Sequence, residues 1–313
     1  MTYAVIGTGA VGGYYGARLA HSGQQVNFLL HKDYEYVREH GLQVDSCDGN
    51  FQLSFPYPAA NGAEGNIYSN STGMPQCDVV LVSLKTTNNH LLKTLLPPLL
   101  HRDTIVILIQ NGIGVEADVQ QMLPQAQLAA GLAFICSAKT EPGHVNHQCY
   151  GQISIAPYSC RDEKRVLDIV ADFKAASVGA RMVEYEEARW KKAVWNMPFN
   201  GMTVALNTQT DLLLKNAATR SLIRQQMMEV IGAAQHLGVH NIDETFADLM
   251  ISNTDEMTPY SPSMKLDYDF HRPLELHYIY ERPIAIARAA GYDMPRLTML
   301  MQELRFMTEK NEP

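Results

Sequence analysis

A glycine-rich motif near the start of the chain constrains the fold more than any other feature. An apolar, strand-length run over residues 3–6 is followed by a loop and then by a helix-compatible segment over residues 14–22; the loop reads Gly7-Thr8-Gly9-Ala10-Val11-Gly12. In such a unit Gly7 permits the tight turn, Gly9 lets backbone approach a pyrophosphate, and Gly12 lets helix and strand pack closely. Free N–H groups at the helix start can then hold the anion. The motif predicts dinucleotide binding, with a structural glycine turn as the alternative.

The residues after the second predicted strand, over residues 25–30, indicate which dinucleotide is preferred. An acidic residue there would bond the ribose 2′-hydroxyl of NAD, whereas cationic side chains would accept the 2′-phosphate of NADP. The chain has His31 and Lys32 at this point, followed by Asp33. We therefore expect NADP(H) to be preferred over NAD, with a solvated charged turn as the alternative.

Two further apolar runs end in polar residues. The run over residues 77–84 ends at Lys85, and the run over residues 104–109 is followed by Gln110 and Asn111. Continuous apolar runs are typical of parallel strands covered on both faces, and ligands bind beyond the carboxyl ends of such strands. Lys85 and Asn111 are therefore candidate cofactor-site residues. A surface lysine and a turn asparagine before glycine are the alternatives.

The balance of strand and helix signals changes near residue 182. Before it, strand-like stretches at 128–137 and 144–156 and a helical stretch at 161–176 extend the alternating pattern. After it, helical segments dominate, near residues 187–207, 220–237, 243–253 and 275–290. We expect an α/β fold in which a Rossmann-type doubly wound sheet over residues 1–182 is followed by a mainly α-helical domain over residues 183–313.

The first helix of the second domain carries a narrow row of polar side chains. Lys192, Asn196 and Asn200 follow one another at intervals of four, and Thr203 and Asn207 lie close to the same stripe of an otherwise apolar helix. Buried amides need hydrogen-bond partners, so we expect the row to line a ligand cleft. The alternative is that the row faces water. Pro198 can kink the helix and turn Asn200 away from the face of Lys192.

Composition excludes several classes of function. The 313 residues include 25 basic and 33 acidic side chains, a net charge of -8 that would repel a nucleic-acid backbone. The longest apolar runs are strand-length, so no membrane span or signal peptide is expected. The five cysteines include no C-x-x-C pair, which predicts neither a disulfide framework nor a zinc site and favours a reducing cytoplasm. We expect no metal.

The combined motifs resemble the ketopantoate reductase family over nearly the whole chain. The glycine fingerprint is generic, but the full set is specific: Gly7-x-Gly9-x-x-Gly12, the strand ending in Lys85, Gln110-Asn111-Gly112, Gly143-x-Val145-x-His147, Trp190-x-Lys192-x-x-x-Asn196-x-x-x-Asn200, and Ser263-Met264-x-x-Asp267 with Glu275. The resemblance implies NADPH-dependent reduction of a small 2-keto acid, 2-dehydropantoate, to its 2-hydroxy acid. It implies a monomer or a homodimer.

The resemblance also assigns roles to individual residues. Lys192 matches the general acid, and Glu275 matches a carboxylate that orients lysine and substrate and borders the cofactor. The side chains that match the substrate-holding groups are Asn196, Asn200 and Ser263, and those that match residues on the nicotinamide side are Lys85 and Asn111. Judged without the resemblance, Ser263 is well placed as a helix N-cap, and Glu275 is an ordinary surface acid.

Several positions depart from the family pattern, and they keep other functions open. Gly201 stands where the family usually has proline, Trp195 and Pro198 are unusual, and Tyr280-Glu281 replaces a common Asn-Gly. These changes suggest an altered pocket. A dehydrogenase of the same build acting on another hydroxy acid or carbonyl compound is therefore the first alternative. A non-catalytic NADP(H)-binding sensor is the second.

Overall fold

The computed structural model describes residues 1–310, which form two compact units. The first unit comprises Met1–Gln110 and Val115–Tyr185, and the second comprises Asn111–Gly114 together with the chain from Glu186 onward. The short segment Asn111–Gly114 thus belongs to the second unit although the chain on both sides of it belongs to the first.

The first unit is built on one large sheet with helices around it. Its strands are β1 Thr2–Ile6, β2 Gln25–Leu29, β3 Leu42–Ser46, β4 Phe51–Leu53, β5 Tyr57–Pro58, β6 Glu64–Gly65, β7 Ile67–Tyr68, β8 Val79–Val82, β9 Ile105–Leu108, β10 Gln127–Glu141, β11 His144–Pro157 and β12 Ala180–Met182. Its helices are α1 Ala10–His21, α2 Tyr34–His40, α3 Leu92–Leu95, α4 Val115–Met122 and α5 Glu163–Ala175, with 3₁₀ turns at Ser71–Gly73, Thr86–Leu91 and Pro97–Leu99.

The strand order reverses between β1 and β8, next to the glycine-rich loop. Strands β7-β2-β1-β8-β9-β10 run parallel, and the chain moves outward in one direction from β1 through β2 and in the other from β8 through β9. Parallel sheets bind ligands at such a reversal point. Beyond β10 the sheet continues through antiparallel β11 to β3 and β4. This mixed sheet confirms the Rossmann-type architecture that the sequence predicts.

Burial explains why the central strands are continuously apolar. All four residues of β8 and all four of β9 are buried, as expected for strands covered on both faces. The long β10–β11 hairpin differs, since its far end is largely exposed and its register shifts at three places. The hairpin end therefore extends beyond the core of the first unit and meets α2 and β3 there.

The second unit is helical. Its helices are α6 Tyr185–Ala205, α7 Thr210–Lys215, α8 Ala217–His236, α9 Glu244–Asp255, α10 Ser263–Asp269, α11 Arg282–Ala289 and α12 Pro295–Lys310, and a π-helical turn, His277–Glu281, precedes α11. They enclose a separate apolar core that includes Trp190, Phe199 and Tyr280. Within residues 1–310, no helix has the length and apolarity needed to cross a bilayer.

Candidate active site

The glycine-rich loop is tightly packed at Gly7 and Gly12 and open at Gly9. Gly7 has φ +92°, and a β-carbon on it would lie 2.6 Å from the backbone nitrogen of Leu84. A β-carbon on Gly12 would lie 2.1 Å from Ser83 Oγ, so only glycine allows α1 to pack this closely on the sheet. A β-carbon on Gly9, in contrast, would meet no described atom within 4 Å. The open space at Gly9, at the N-terminus of α1, therefore fits an anion.

A hydrogen bond ties the loop to the end of β2, shortly before His31 and Lys32, which the sequence makes candidate cofactor-site residues. Thr8 Oγ1 donates a hydrogen bond to the carbonyl oxygen of Leu29 at 2.9 Å. His31 and Lys32 are exposed just beyond this strand. Asp33 points elsewhere, since its Oδ2 accepts a hydrogen bond from Gly143 N at 3.1 Å and forms an ion pair with Lys139.

Lys85 lies just past the carboxyl end of β8, and a neighbouring glutamine holds this region in place. Lys85 is half-buried and immediately precedes the 3₁₀ turn Thr86–Leu91. Gln110 Nε2 donates to the carbonyl oxygen of Leu84 and to Asn89 Oδ1, both at 2.7 Å. Gln110 is buried, and its amide bridges the chain after β9 to the chain after β8. Sequence analysis gives Gln110 no role beyond its place in a motif, because both of its hydrogen-bond partners are more than 20 residues away along the chain.

A separate concave site lies within the second unit. It has a volume of about 260 Å³ counted to its open mouth. Its lining comes from α6, from the short segment 111–114 and from the π-helical turn: Gly112, Ile113, Arg189, Lys192, Ala193, Asn196, Met197, Tyr278 and Ile279. Lys192 and Asn196 thus share this site, as their four-residue spacing on α6 predicts.

The segment 111–114 is fixed on the π-helical turn by backbone contacts. Ile113 N donates to the carbonyl oxygen of Tyr278 at 2.9 Å. Gly112 has φ +107°, and a β-carbon there would lie 2.5 Å from the same oxygen, so the close approach requires glycine. This docking brings Asn111 Oδ1 to 3.5 Å from Asn196 Nδ2. Asn196 and Lys192 therefore line one site, and Asn111 contacts Asn196 beside it although the two asparagines are 85 positions apart.

The ammonium of Lys192 is electrostatically unusual. Two effects together lower the pKa of Lys192 to about 7: burial, which is the larger, and like-charge repulsion from the guanidinium of Arg189 one turn earlier. Arg189 lines the same site and is only 2% exposed. A lysine with a pKa near neutrality can hold and release a proton under physiological conditions. Arg189 was not singled out from sequence, although its three-residue spacing from Lys192 places both side chains on one helix face.

The lining of this site does not include Asn200 and Thr203, which belong to the polar row, or Ser263, which the resemblance assigns to the substrate. Asn200 is 2% exposed, and its Oδ1 accepts a hydrogen bond from Met264 N at 3.2 Å. Thr203 Oγ1 donates to the carbonyl oxygen of Phe199 at 2.7 Å. Ser263 is the first residue of α10, so its expected N-cap role is wrong. Pro262 occupies the N-cap position instead. The backbone N–H of Met264, in the first turn of α10, is bonded by the side chain of Asn200 on α6.

Glu275 lies in the second unit, directly before the π-helical turn. It is buried, with 5% of its surface exposed, which is uncommon for a glutamate. This burial contradicts the expectation of an ordinary surface acid.

Three side chains of types that can bind metals lie close together in the first unit. Cys47, Asp48 and His147 have ligand atoms within 4.8 Å of one another. However, His147 Nδ1 is 2.8 Å from Ser46 Oγ, and the guanidinium of Arg18 is 3.5 Å from the carboxylate of Asp48. A cation already faces this carboxylate, so we assign no metal to the group.

Comparison with known proteins gives a consistent result over the whole chain. A family model described as Ketopantoate reductase PanE/ApbA matches residues 3–159, and one described as Ketopantoate reductase PanE/ApbA C terminal matches residues 184–308. The chain is 42% identical to a 2-dehydropantoate 2-reductase of Nostoc sp. (strain PCC 7120) over 315 residues, which cover 99% of this chain and 96% of that protein.

Solved structures show the same similarity. The crystal structure of 2-dehydropantoate 2-reductase from Geobacter metallireducens GS-15 superposes with a TM-score of 0.91 at 35% identity and covers 100% of both chains. A structure of D-mandelate dehydrogenase with NADH and anilino(oxo)acetate has a TM-score of 0.88 at 20% identity and covers 99% of each chain. At 20% identity, the similarity to D-mandelate dehydrogenase shows that the two proteins share a fold.

Proposed function

The chain belongs to the ketopantoate reductase family and is an oxidoreductase acting on CH–OH groups, and from this premise we propose that it reduces 2-dehydropantoate to pantoate with NADPH. The proposal assigns the dinucleotide to the first unit, at Gly7, Thr8, Gly9, Ala10, Val11, Gly12, His31, Lys32 and Lys85. It assigns the keto acid to the second unit, where Lys192 is the general acid.

One observation carries the proposal: a lysine with a pKa near 7 lines a concave site together with Asn196, whose amide contacts the side chain of Asn111. Reduction of a ketone places negative charge on its oxygen, and an ammonium beside that oxygen stabilises the charge and donates the proton. Arg189 adds a second positive charge to the wall of the same site. A site with two cations and one amide, and with the amide of Asn111 beside it, suits a substrate that carries a carboxylate and a carbonyl oxygen.

The remaining residues have positioning roles in this mechanism. When bound, the reduced nicotinamide supplies the hydride that the reaction needs. Asn196 and Asn111 donate hydrogen bonds to the substrate oxygens, and Glu275 orients Lys192 and the substrate and borders the cofactor. Asn200 and Ser263 act at the start of α10, where the bond from Met264 N to Asn200 Oδ1 fixes the helix end that presents Ser263.

The cofactor preference rests on the residues after β2. His31 and Lys32 are exposed, while the nearby acid, Asp33, is already paired with Lys139. An unpaired acid would favour the ribose 2′-hydroxyl of NAD, so its neutralisation supports NADPH. The odd number of cysteines and the lack of a C-x-x-C pair in the sequence support a reducing cytoplasm. The proposed enzyme works as a monomer or a homodimer on a small-molecule substrate.

A second candidate substrate class is favoured by an aromatic group on α6. The ring of Trp195 stacks on Phe199 at 4.9 Å between centroids and lies 6.5 Å from Tyr260. Trp195 immediately precedes Asn196, and its Nε1 donates to Thr254 Oγ1 at 2.9 Å, which fixes the ring. Trp195 is outside the lining of the concave site but adjoins the lining residue Asn196 along α6. We take this unusual aromatic residue as favouring a 2-keto acid with a larger or aromatic acyl group, or the corresponding hydroxy acid in the oxidative direction.

Nicotinamide absorbance at saturating cofactor distinguishes these functions. The purified protein is mixed with ketopantoate or with a panel of 2-keto acids of increasing acyl size, using NADPH and NADH in separate reactions. The proposal expects ketopantoate with NADPH to give the highest kcat/KM. A larger keto acid with the highest value would support the second candidate. Oxidation of neither cofactor with any keto acid would contradict both and support a non-catalytic sensor.

A further inference from the structure

The side chain of Asp33 has unusual partners for a residue at the start of a helix. Asp33 occupies the N-cap position of α2, where an aspartate ordinarily accepts hydrogen bonds from the first turn of its own helix. Here its side chain makes no capping bond. Its Oδ2 instead accepts from Gly143 N and pairs with Lys139 Nζ, both at the end of the β10–β11 hairpin. The carboxylate is therefore directed to a distant part of the chain.

Tight packing holds the hairpin end against α2. Gly143 has φ +65°, and a β-carbon on it would come within 3.0 Å of Tyr36, Val37 and the carbonyl oxygen of Gly41. The carbonyl oxygen of Gly143 also accepts a hydrogen bond from Gln43 N at 2.8 Å. Since the hairpin end cannot move away without losing these contacts, Lys139 is held next to Asp33. The side chain of Asp33 is 13% exposed, and that of Lys139 is 31% exposed.

The charge of Asp33 matters because of where it stands. It follows His31 and Lys32, and Thr8 of the glycine-rich loop is bonded to the last residue of β2. A phosphate monoester carries a charge of about −1.5 to −2 at pH 7. With neutral His31, the residues Lys32, Asp33 and Lys139 together carry one net positive charge, and without Lys139 they carry none. Charges within about 8–10 Å of one another are not fully screened at physiological salt.

We propose that Lys139 determines cofactor specificity by neutralising Asp33, so that the site accepts the 2′-phosphate of NADP(H). This proposal rests on the NADP(H) preference proposed above. In this proposal Lys139 does not contact the cofactor and acts through Asp33. Lys139 is more than 100 positions along the chain from the end of β2. Asp33 would act as an NAD-type acid if Lys139 were lost.

Two nucleotides that differ only in the 2′-phosphate test this role without turnover. Isothermal titration calorimetry gives the Kd of 2′,5′-ADP and of AMP for wild type, Lys139→Met, Asp33→Asn and the double variant. Lys139→Met is expected to weaken 2′,5′-ADP by about tenfold through charge repulsion. AMP should change by less than about twofold, because it has no phosphate there. The double variant should bind 2′,5′-ADP nearly as tightly as wild type, since no carboxylate is left to neutralise.

Three outcomes would overturn the proposal. Unchanged 2′,5′-ADP binding in Lys139→Met would show that Gly143 N alone controls Asp33. A double variant as weak as Lys139→Met would show that Lys139 contacts the phosphate directly. Equal weakening of both nucleotides would show a general structural role. Lys174→Met, which removes an exposed positive charge from α5, is the control. The wild-type affinity ratio tests the NADP(H) preference itself, whereas the change of that ratio tests Lys139.

Discussion

Gly201 on α6 and Tyr280 on the π-helical turn have complementary shapes: a β-carbon on Gly201 would lie 2.5 Å from Tyr280 Oη. The buried hydroxyl of Tyr280 donates to the carbonyl oxygen of Met197 at 2.6 Å. Both positions depart from the family pattern in the sequence. The structure shows that they form a matched pair, because the larger side chain at 280 fills the space that glycine leaves at 201.

We expect Gly201→Ala to destabilise the protein by about 1–2 kcal/mol. Alanine gains up to about 1 kcal/mol of helix propensity, but overpacking costs about 1–3 kcal/mol, and the new methyl would also meet Leu300 at 2.6 Å. Urea denaturation measures the difference. Tyr280→Phe removes the hydroxyl oxygen that lies nearest to the new methyl group. The double variant should therefore lose less stability than the two single variants added together. Strict additivity would show that the two positions do not interact.

Lys192→Met should abolish most turnover and leave nucleotide binding intact. A general acid contributes about 10² to 10⁴ in rate, so kcat should fall by that factor. The neighbouring Lys191 is a matched control, since it forms an ion pair with Glu187 and does not line the concave site. Lys191→Met should keep kcat within about twofold of wild type. Equal kcat for Lys192→Met and wild type would remove this lysine from the mechanism.

The pH dependence of reduction should report the unusual lysine. Because the protonated form of Lys192 is the acid, kcat/KM should be highest at low pH and fall as the pH rises through about 7. Arg189→Met removes a like charge, so the midpoint should move to higher pH, whereas Arg189→Lys keeps the charge and should move it less. Rate profiles between pH 5.5 and pH 9 are the measurement. A midpoint that stays in place in Arg189→Met would show that burial alone sets this pKa.

Asn200 and Asn196 should respond differently to the same substitution. Asn200→Ala leaves the backbone N–H of Met264 without its acceptor, so stability should fall by about 1–3 kcal/mol. Asn196→Ala should change stability by less than about 0.5 kcal/mol but lower kcat/KM about tenfold, because this amide lines the concave site. Denaturation midpoints and initial rates for both variants separate the two roles. Unchanged kinetics in Asn196→Ala would argue against its substrate contact.

Features that depend on short stretches of chain could be predicted from the sequence. The glycine spacing in residues 7–12 predicts a tight turn, an open position and a close helix contact, and the structure has all three. The apolar runs predict buried parallel strands. The four-residue interval between Lys192 and Asn196 places them on one face of α6 and in one site. In each case the geometry repeats within one strand or one or two helical turns, so neighbouring residues determine it.

Only the tertiary structure decided which distant partners each polar side chain finds. Asn200 contacts a backbone group 64 residues away, Asp33 one 110 residues away, and Tyr280 one 83 residues away. The lowered pKa of Lys192 likewise arises from burial, which local spacing does not encode. Sequence periodicity shows which face of an element a residue occupies. It does not show what packs against that face, because that depends on how the elements assemble into a core.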